Sequence, residues 1–393
     1  MAYTFKSDNP SQLYFDASMV LHTEGNILAP RGKKIREIRP TVFEFTNPLN
    51  RVTFLKGRKI NPFFQQAESL WILLGRADVE FLTRYNQNMA NFSDNGVYFN
   101  APYGERLRYW GKNSASGEIF NPLDQLHDAY RKLKADEHTR QAFATIGDPR
   151  YDNANYTLGG GKDIACNREI TFKIRDGKLD ISVWNRSNDA DHGLFGANLP
   201  QFTTIQEMVA SWLGIEVGTY THISDSFHAY LEDYGYKVFG GICKAYNVSQ
   251  SMIDNGRKPK KTIEHFTFDT EPRMSKVEPD EFDAMLTSCE YVADTLIHND
   301  DNIINEEIAE NIIHTVQQCP DDYFRNTLYA MVAYRAHRLG VPNVLFKALG
   351  MMTDSQWKLS GLYFLYNSYK DNEEFTELYE HYTEAQKAYI RGE

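Results

Sequence analysis

The sequence predicts an α+β fold, a mixed sheet packed with helices, with an all-α extension at its C-terminal end. Strand-like and helical runs are interleaved up to about Gly240, a tight-turn dipeptide joins two of the strands, and helical periodicity is almost unbroken beyond Asp280.

Thr41–Phe45, Glu169–Ile174 and Leu179–Val183 are rich in β-branched and aromatic residues, which suit a pleated, half-buried surface. Asp176-Gly177, between the second and third runs, is a favoured hairpin turn. Phe202, Ile205, Val209, Trp212 and Leu213 recur at helical spacing and form one apolar face, ended by Gly214. Around Asn255–Thr262 the composition turns polar and basic, as in a linker. Helices are predicted beyond it at Asp280–Ile297, Glu306–Gln318, Asp321–Leu339, Asp354–Tyr369 and Glu373–Ile390, with breaks at Pro320, Gly340–Pro342 and Asp371–Asn372. The chain therefore divides into a domain over 1–254, a linker over 255–279 and a helical extension over 280–393, without a fixed-period repeat.

An apolar content of 42 % is enough for a sizeable core and excludes global disorder. The net charge of −11 sits almost wholly at the C-terminal end, where Glu271–Glu393 holds 22 acidic and 10 basic residues. A near-neutral body with an acidic tail does not fit a duplex-DNA binder, so no direct nucleic-acid binding is expected. Cys166, Cys243, Cys289 and Cys319 form no CxxC pair and suit a reducing compartment. The polar N-terminus and the lack of a long apolar window point to a soluble cytoplasmic protein, with no membrane span. The histidines show no paired ligand spacing, so no metal site is expected. Gly159-Gly160-Gly161-Lys162 lacks the Ser or Thr and the spacing of a phosphate loop and reads as a loop before Cys166.

Cys166 stands at the head of a strand, and Arg186-Ser187-Asn188-Asp189 follows about twenty residues later, after the hairpin that returns the chain beside it. An arginine next to a thiol stabilises the thiolate, the form that attacks carbon. Ser187 and nearby amides would add hydrogen bonds to a phosphate held by the same arginine. Taken singly, these residues read as a buried small hydrophobe and a solvated polar turn.

From Ser11 to Tyr230 the sequence resembles the thymidylate synthases and their hydroxymethylase relatives, most nearly the phage-type deoxyuridylate hydroxymethylases. The resemblance is carried by an ordered set: Cys166, then Trp184 to Asp189, then Gly193 to Asn198, then Ser224-Asp225-Ser226-Phe227-His228-Ala229-Tyr230. It implies a thymidylate synthase-like catalytic domain in which Cys166 adds to C6 of a pyrimidine nucleotide and C5 becomes the nucleophile. It also implies that Arg186 and Ser187 hold the phosphate, that Asp189 approaches the base, and that His228 and Tyr230 bind the sugar hydroxyl. Asn198 matches the asparagine that reads the pyrimidine edge, although its segment carries one residue more than the usual spacing. An amide there suits uracil, whereas an aspartate would suit cytosine, so dUMP is favoured over dCMP.

By the same resemblance Glu68, at the opening of an apolar helix, organises proton transfers at the base, and Tyr103 stands near the thiol. Arg140 matches an arginine that crosses a homodimer interface to the partner's phosphate, its usual second arginine being Gln141 here. Arg31, with Arg36 as a rival, matches a phosphate arginine of a flexible loop. The one-carbon donor implied is 5,10-methylenetetrahydrofolate, and the sites are expected to be shared within a homodimer.

Methylating members shield the reacting methylene with a tryptophan-bearing segment and a short apolar C-terminus. In this chain Asn86 and Met89 stand at the tryptophan places, and an acidic helical extension replaces that C-terminus. A wetter pocket favours 5-hydroxymethyl-dUMP, a reaction of phages, which would place the protein in the host cytoplasm. The alternatives are a thymidylate synthase giving dTMP and dihydrofolate, a dCMP or CMP hydroxymethylase, and an inactive nucleotide-binding homologue.

Overall fold

The computed structural model describes residues 1–157, 161–298 and 301–393, so Gly159 and Gly160 of the glycine run lie outside the described residues. Six strands form the main sheet: β1 (Tyr3–Ser7), β2 (Thr41–Phe45), β3 (Phe143–Thr145), β4 (Asn167–Arg175), β5 (Lys178–Asn185) and β6 (Glu216–Ser224). Their order across the sheet is β1-β2-β6-β5-β4-β3. β1 runs parallel to β2 and β6 parallel to β5, and the remaining pairs are antiparallel, so the sheet is mixed as expected. Asp176 and Gly177 both take positive φ, 51° and 70°, which makes the β4–β5 connection a tight two-residue turn.

One face of the sheet is covered by α2 (Leu199–Trp212), on which α1 (Pro62–Leu73) packs in turn. Asn61 caps α1 by accepting hydrogen bonds from the Phe63 and Phe64 amides, and Pro62 fits the first turn because its missing N–H has no partner to lose there. Glu68 therefore lies mid-helix, not at the opening as expected; the cap at Asn61 sets the true start. Both helices are buried almost all round, since α2 lies between the sheet and α1, and α1 between α2 and the tail. The strand edges run to a smaller sheet that contains Ile35–Ile38, Asn188–Asp189 and Phe227–Tyr230.

The tail is helical, with α3 (Pro279–His298), α4 (Asp322–Leu339) and α5 (Gln356–Tyr369) its longest elements. It differs from the sequence reading in three places, the first a short helix at Asp301–Ile304. Pro342–Met351 is a further helix, begun by the proline that was read as a break, and Glu373–Ile390 is two short helices, Glu373–Glu377 and Glu384–Arg391. A proline in the first turn starts a helix as readily as it ends one.

Tail and body share one core. Phe63 of α1 packs on Tyr334 of α4 and Phe364 of α5, with ring centroids 5.5 and 6.0 Å away, and Trp212 of α2 meets Phe282 of α3 at 5.8 Å. The absence of a side chain at Gly361 leaves the space that the Phe63 ring fills. Residues 255–278 carry no helix or strand but are tied down. Ile263 exchanges hydrogen bonds with Asn9 and Gln12, and Glu207 of α2 accepts from Arg273 Nε at 2.9 Å and the Met274 amide at 3.1 Å. The other Glu207 oxygen accepts from Arg51 at 2.5 Å, with both side chains only 5 % exposed. Burial acts to raise the Glu207 pKa, but Arg51 and Arg273 outweigh it and hold the carboxylate ionised.

Glu207→Ala would leave Arg51 buried without its counter-charge and release residues 273–274. Removing one partner of a buried pair costs about 3–5 kcal/mol. Urea unfolding of the variant is expected to show a loss of that size, whereas Glu216→Ala, which breaks an exposed pair to Lys276, is expected to cost less than about 1 kcal/mol.

Candidate active site

The β4–β5 hairpin brings two distant residues together. From the turn up to Glu169 the strands pair without interruption, but Glu169 pairs with Trp184 and Asn167 with Asn185, so Arg168 is bulged out. Its side chain turns away to Asp152, 2.6 Å distant. The bulge sets Cys166 opposite Arg186, whose amide donates to the Cys166 carbonyl at 2.9 Å. The Arg186 guanidinium donates to the Ala165 and Ile164 carbonyls at 3.0 and 2.9 Å and lies 3.6 Å from Cys166 Sγ. Burial raises the thiol pKa; Arg186 and, less strongly, Arg31 oppose it.

Buried asparagines order the groups around the thiol. Asn167 donates from Nδ2 to the Tyr103 hydroxyl at 3.1 Å and accepts from Asn185 Nδ2 at 2.8 Å, while Asn185 Oδ1 accepts from the Ser187 amide at 2.7 Å. One polar chain thus fixes Tyr103, Cys166 and Ser187 relative to each other. Burial pushes the Tyr103 phenol well above its ordinary pKa, and the neighbouring Cys166 adds to this, so the hydroxyl remains a donor. Asp163, which sequence reasoning missed, accepts from the Ala101 amide at 2.8 Å and ties the Tyr103 loop to the cysteine loop. Burial raises its pKa to about 6.

Ala190–Asn198 is a π-helical turn leading directly into α2. A π-turn takes one residue more than an α-turn, and this absorbs the extra residue noted before Asn198. Asn198 accepts from Asn188 Nδ2 at 2.8 Å and donates to Gln201 Oε1 at 3.1 Å. Gln201 in turn hydrogen-bonds Glu68, whose pKa burial raises to about 7. Glu68 Oε2 and His228 Nδ1 are buried and have no hydrogen-bond partner among the described residues, so each has hydrogen-bonding capacity left for a ligand. Asp189 accepts from the Asp191 amide and from the Tyr234 hydroxyl, and Asn188–Asp189 runs parallel to Phe227–Tyr230, which presents His228 and Tyr230.

These groups line one cavity of about 2970 Å³, together with Arg31, Ser187, Asn86 and Met89. Arg31 sits in a tight turn with φ 52° and faces the cavity; its rival Arg36 points to the Gly25 carbonyl and does not line it. Asn86 caps the 3₁₀ turn Gln87–Phe92, none of whose residues is buried. Arg140 is not brought to this cavity and lies on an exposed turn with Thr139 and Gln141. Sequence reasoning also missed the far wall, where Tyr334, Arg338 and Leu339 of α4 and Phe364 of α5 line the cavity. Nothing in a helical period distinguishes a residue packed on a neighbour from one at a cavity edge.

The sequence pattern of the family described as thymidylate synthase matches residues 18–283. The chain is 48 % identical to a deoxyuridylate hydroxymethyltransferase of Bacillus phage SP01, over 94 % of this chain and 95 % of the relative. It is 39 % identical to a protein of the same description from Pseudomonas phage M6, over 49 % of this chain and 51 % of the relative. It is also 28 % identical to a thymidylate synthase of Symbiobacterium thermophilum, over 42 % of this chain and 58 % of the relative.

The raised pKa of Glu68 has a measurable consequence. Its folded value, about 7, lies above the ordinary 4.5, so the folded state holds the proton more tightly and the wild type loses stability as pH rises through that window. Glu68→Gln removes the titration. Relative to wild type, its stability is expected to rise by up to about 3 kcal/mol between pH 5 and pH 8, read from paired thermal or urea melts. A difference independent of pH would mean that Glu68 is not buried as a neutral acid.

Proposed function

The chain belongs to the thymidylate synthase family, and we propose that it converts dUMP to 5-hydroxymethyl-dUMP with 5,10-methylenetetrahydrofolate as one-carbon donor. The observation that carries this reading is the 48 % identity to a deoxyuridylate hydroxymethyltransferase, which runs through the helical tail as well as the family segment. The orphaned buried atoms Glu68 Oε2 and His228 Nδ1, in a cavity with aromatic and cationic walls, support a site for a nucleotide and a reduced folate. The folate, when bound, supplies a one-carbon unit at the oxidation level of formaldehyde.

Cys166 Sγ adds to C6 of the base, and the electron pair moves through C5 toward O4. Arg186 lies between the thiol and the cavity, where it favours the thiolate and, with Ser187, binds the phosphate. Arg31 adds a second positive charge at that end. The Asn198–Gln201–Glu68 chain meets the uracil edge: the Asn198 amide pairs with O4 and N3–H, and Glu68, near its pKa at neutral pH, moves protons to and from the base. Tyr103 orders the C5 proton path. Asp189 approaches the base, and His228 and Tyr230 bind the sugar. Asn86 and Met89 flank the folate side, where neither side chain excludes water as an indole would.

A second reading, thymidylate synthesis, is favoured by one observation: Tyr334 and Phe364 line the same cavity and are aromatic groups able to shield the methylene. Reaction in water enriched with oxygen-18 separates the two. Label in a new hydroxymethyl group with tetrahydrofolate released is expected; dTMP with stoichiometric dihydrofolate would overturn the reading. Cys166→Ser is expected to lose at least several hundredfold in turnover, roughly 3–4 kcal/mol of barrier, while dUMP binding by calorimetry stays within a few fold.

A homodimer with shared sites accounts for Arg140. The face of the sheet turned away from α1 and α2 is uncovered, and Val42, Ile223 and Trp184 pair in register across it, Trp184 being 50 % exposed. An apolar row on an open sheet face suits a second copy. Arg140→Ala and Cys166→Ala, each inactive alone, are expected to regain up to about a quarter of wild-type activity when mixed under subunit exchange, since a random hybrid carries one intact site. No recovery, or a monomer in sedimentation, would count against shared sites.

A further inference from the structure

The water step of this reaction needs a base, and the residues assigned so far do not supply one on the open side of the cavity. Three histidines line it: His192, His228 and His298. His298 is engaged, with Nδ1 3.0 Å from the Asp294 carbonyl and Nε2 3.8 Å from Glu80. His228 is buried in the strand that presents Tyr230 to the sugar. His192 differs from both. It is exposed to the cavity, and neither ring nitrogen has a hydrogen-bond partner among the described residues. Its ring lies 4.2 Å from that of Tyr234, whose hydroxyl donates to Asp189. The π-turn that follows Asp189 holds it there.

We propose that His192 is the base that takes a proton from the attacking water. The proposal rests on the hydroxymethyl reading above. The electrophile is the exocyclic methylene at C5 of the nucleotide while Cys166 is still bonded to C6. The water oxygen bonds to that carbon as one O–H proton passes to the imidazole. The π pair of the methylene moves onto C5 and O4 as an enolate, which then re-forms C4=O, makes C5=C6 and expels the Cys166 thiolate. The imidazolium returns its proton to the thiolate or to solvent, and no electron acceptor is needed.

Three other groups given roles above are unsuited to this step. Both Asp189 oxygens already accept hydrogen bonds. Tyr103 is held as a phenol, and Glu68 is committed through Gln201 to the Asn198 edge. Desolvation by the surrounding protein, the largest influence, and the charge of Arg58 lower the His192 pKa, and Asp189 opposes them, so the ring is held toward its neutral form.

The test is a single-turnover reaction with enzyme in excess over [5-³H]dUMP. His192→Ala is expected to release tritium from C5 within about threefold of the wild-type rate but to form hydroxymethyl product at least tenfold more slowly, in line with the 10²–10⁴-fold typical of general-base catalysis. Imidazole in the buffer should restore product formation, and His192→Asn should behave as the alanine variant does. An added alkylthiol, which needs no such base, should yield the 5-thioether at an undiminished rate. Unchanged dUMP binding by calorimetry shows that the variants are folded. Product formation at the wild-type rate in both variants would overturn the proposal and leave the hydroxymethyl reading standing. Tritium release falling in step with product, without imidazole rescue, would also overturn it, by showing a structural role. If the wild type makes dTMP, the hydroxymethyl reading itself has failed.

Discussion

The site depends on one constraint, the register of the β4–β5 hairpin. Asp176 and Gly177 fix the pairing at one end, and the bulge at Arg168 shifts it by one residue near the other. Because side chains alternate faces along a strand, a one-residue slip exchanges inside for outside. Without the bulge the uninterrupted pairing would bring Asn167, not Cys166, opposite Arg186. Thiol and guanidinium would then lie on different faces, and the chain from Asn185 through Asn167 to Tyr103 would lose its geometry. Arg168 is held in its bulged position by Asp152, which is 1 % exposed and also pairs with Arg106 at 2.8 Å. A buried carboxylate shared by two arginines is thus the foundation on which the position of Cys166 rests.

The helical tail is part of the catalytic body. Its aromatic rings interdigitate with α1, the helix that carries Glu68, and two arginines fasten it from the body side. Arg76 reaches Asp294, and Arg108 reaches Asp283 in a two-pronged contact at 2.8 Å. Arg108 is buried, so these contacts are worth more than the surface ion pairs farther along the tail. With α1 clamped between α2 and the tail, Glu68 is held in an environment dry enough to raise its pKa to about 7. The same helices form a wall of the cavity, so a stabilising extension and a substrate-facing surface are one structure.

Much of this was legible in the sequence because it is local. The Asp-Gly turn gave the hairpin, and the hairpin gave the meeting of Cys166 and Arg186. The ordered motifs gave Ser187, Asp189, Asn198, His228 and Tyr230, all of which line the one cavity. What escaped was non-local or depended on small differences. The bulge at Arg168 has no sequence signal until its partner Asp152 is placed. The start of α1 depended on whether Asn61 or Glu68 was taken as the first-turn residue, and Asn61-Pro62 is the stronger signal. Pro342 was read as a break when it opens a helix. The contribution of Tyr334 and Phe364 to the cavity could not be read at all, because it follows from how α4 and α5 dock on α1.

Burial in this cavity drives its ionisable groups toward their neutral forms. The Cys166 thiol and the Tyr103 phenol are raised, Asp163 and Glu68 are raised to about 6 and about 7, and His192 and His228 are lowered. Arg31 and Arg186 make the thiol end of the cavity cationic. On the mechanism proposed above, a nucleotide phosphate at Arg186 would meet that charge and at the same time compete with the thiol for it. Thiolate formation is then best driven by the addition itself, as the proton leaves sulfur while the base takes up its electron pair. A reaction that moves protons several times between thiol, pyrimidine and water gains from acids and bases whose affinities lie close together near neutral pH. Desolvation brings Glu68 and Asp163 into that range, and each proton transfer costs little because the charge it creates is brief and shared with an arginine or the pyrimidine.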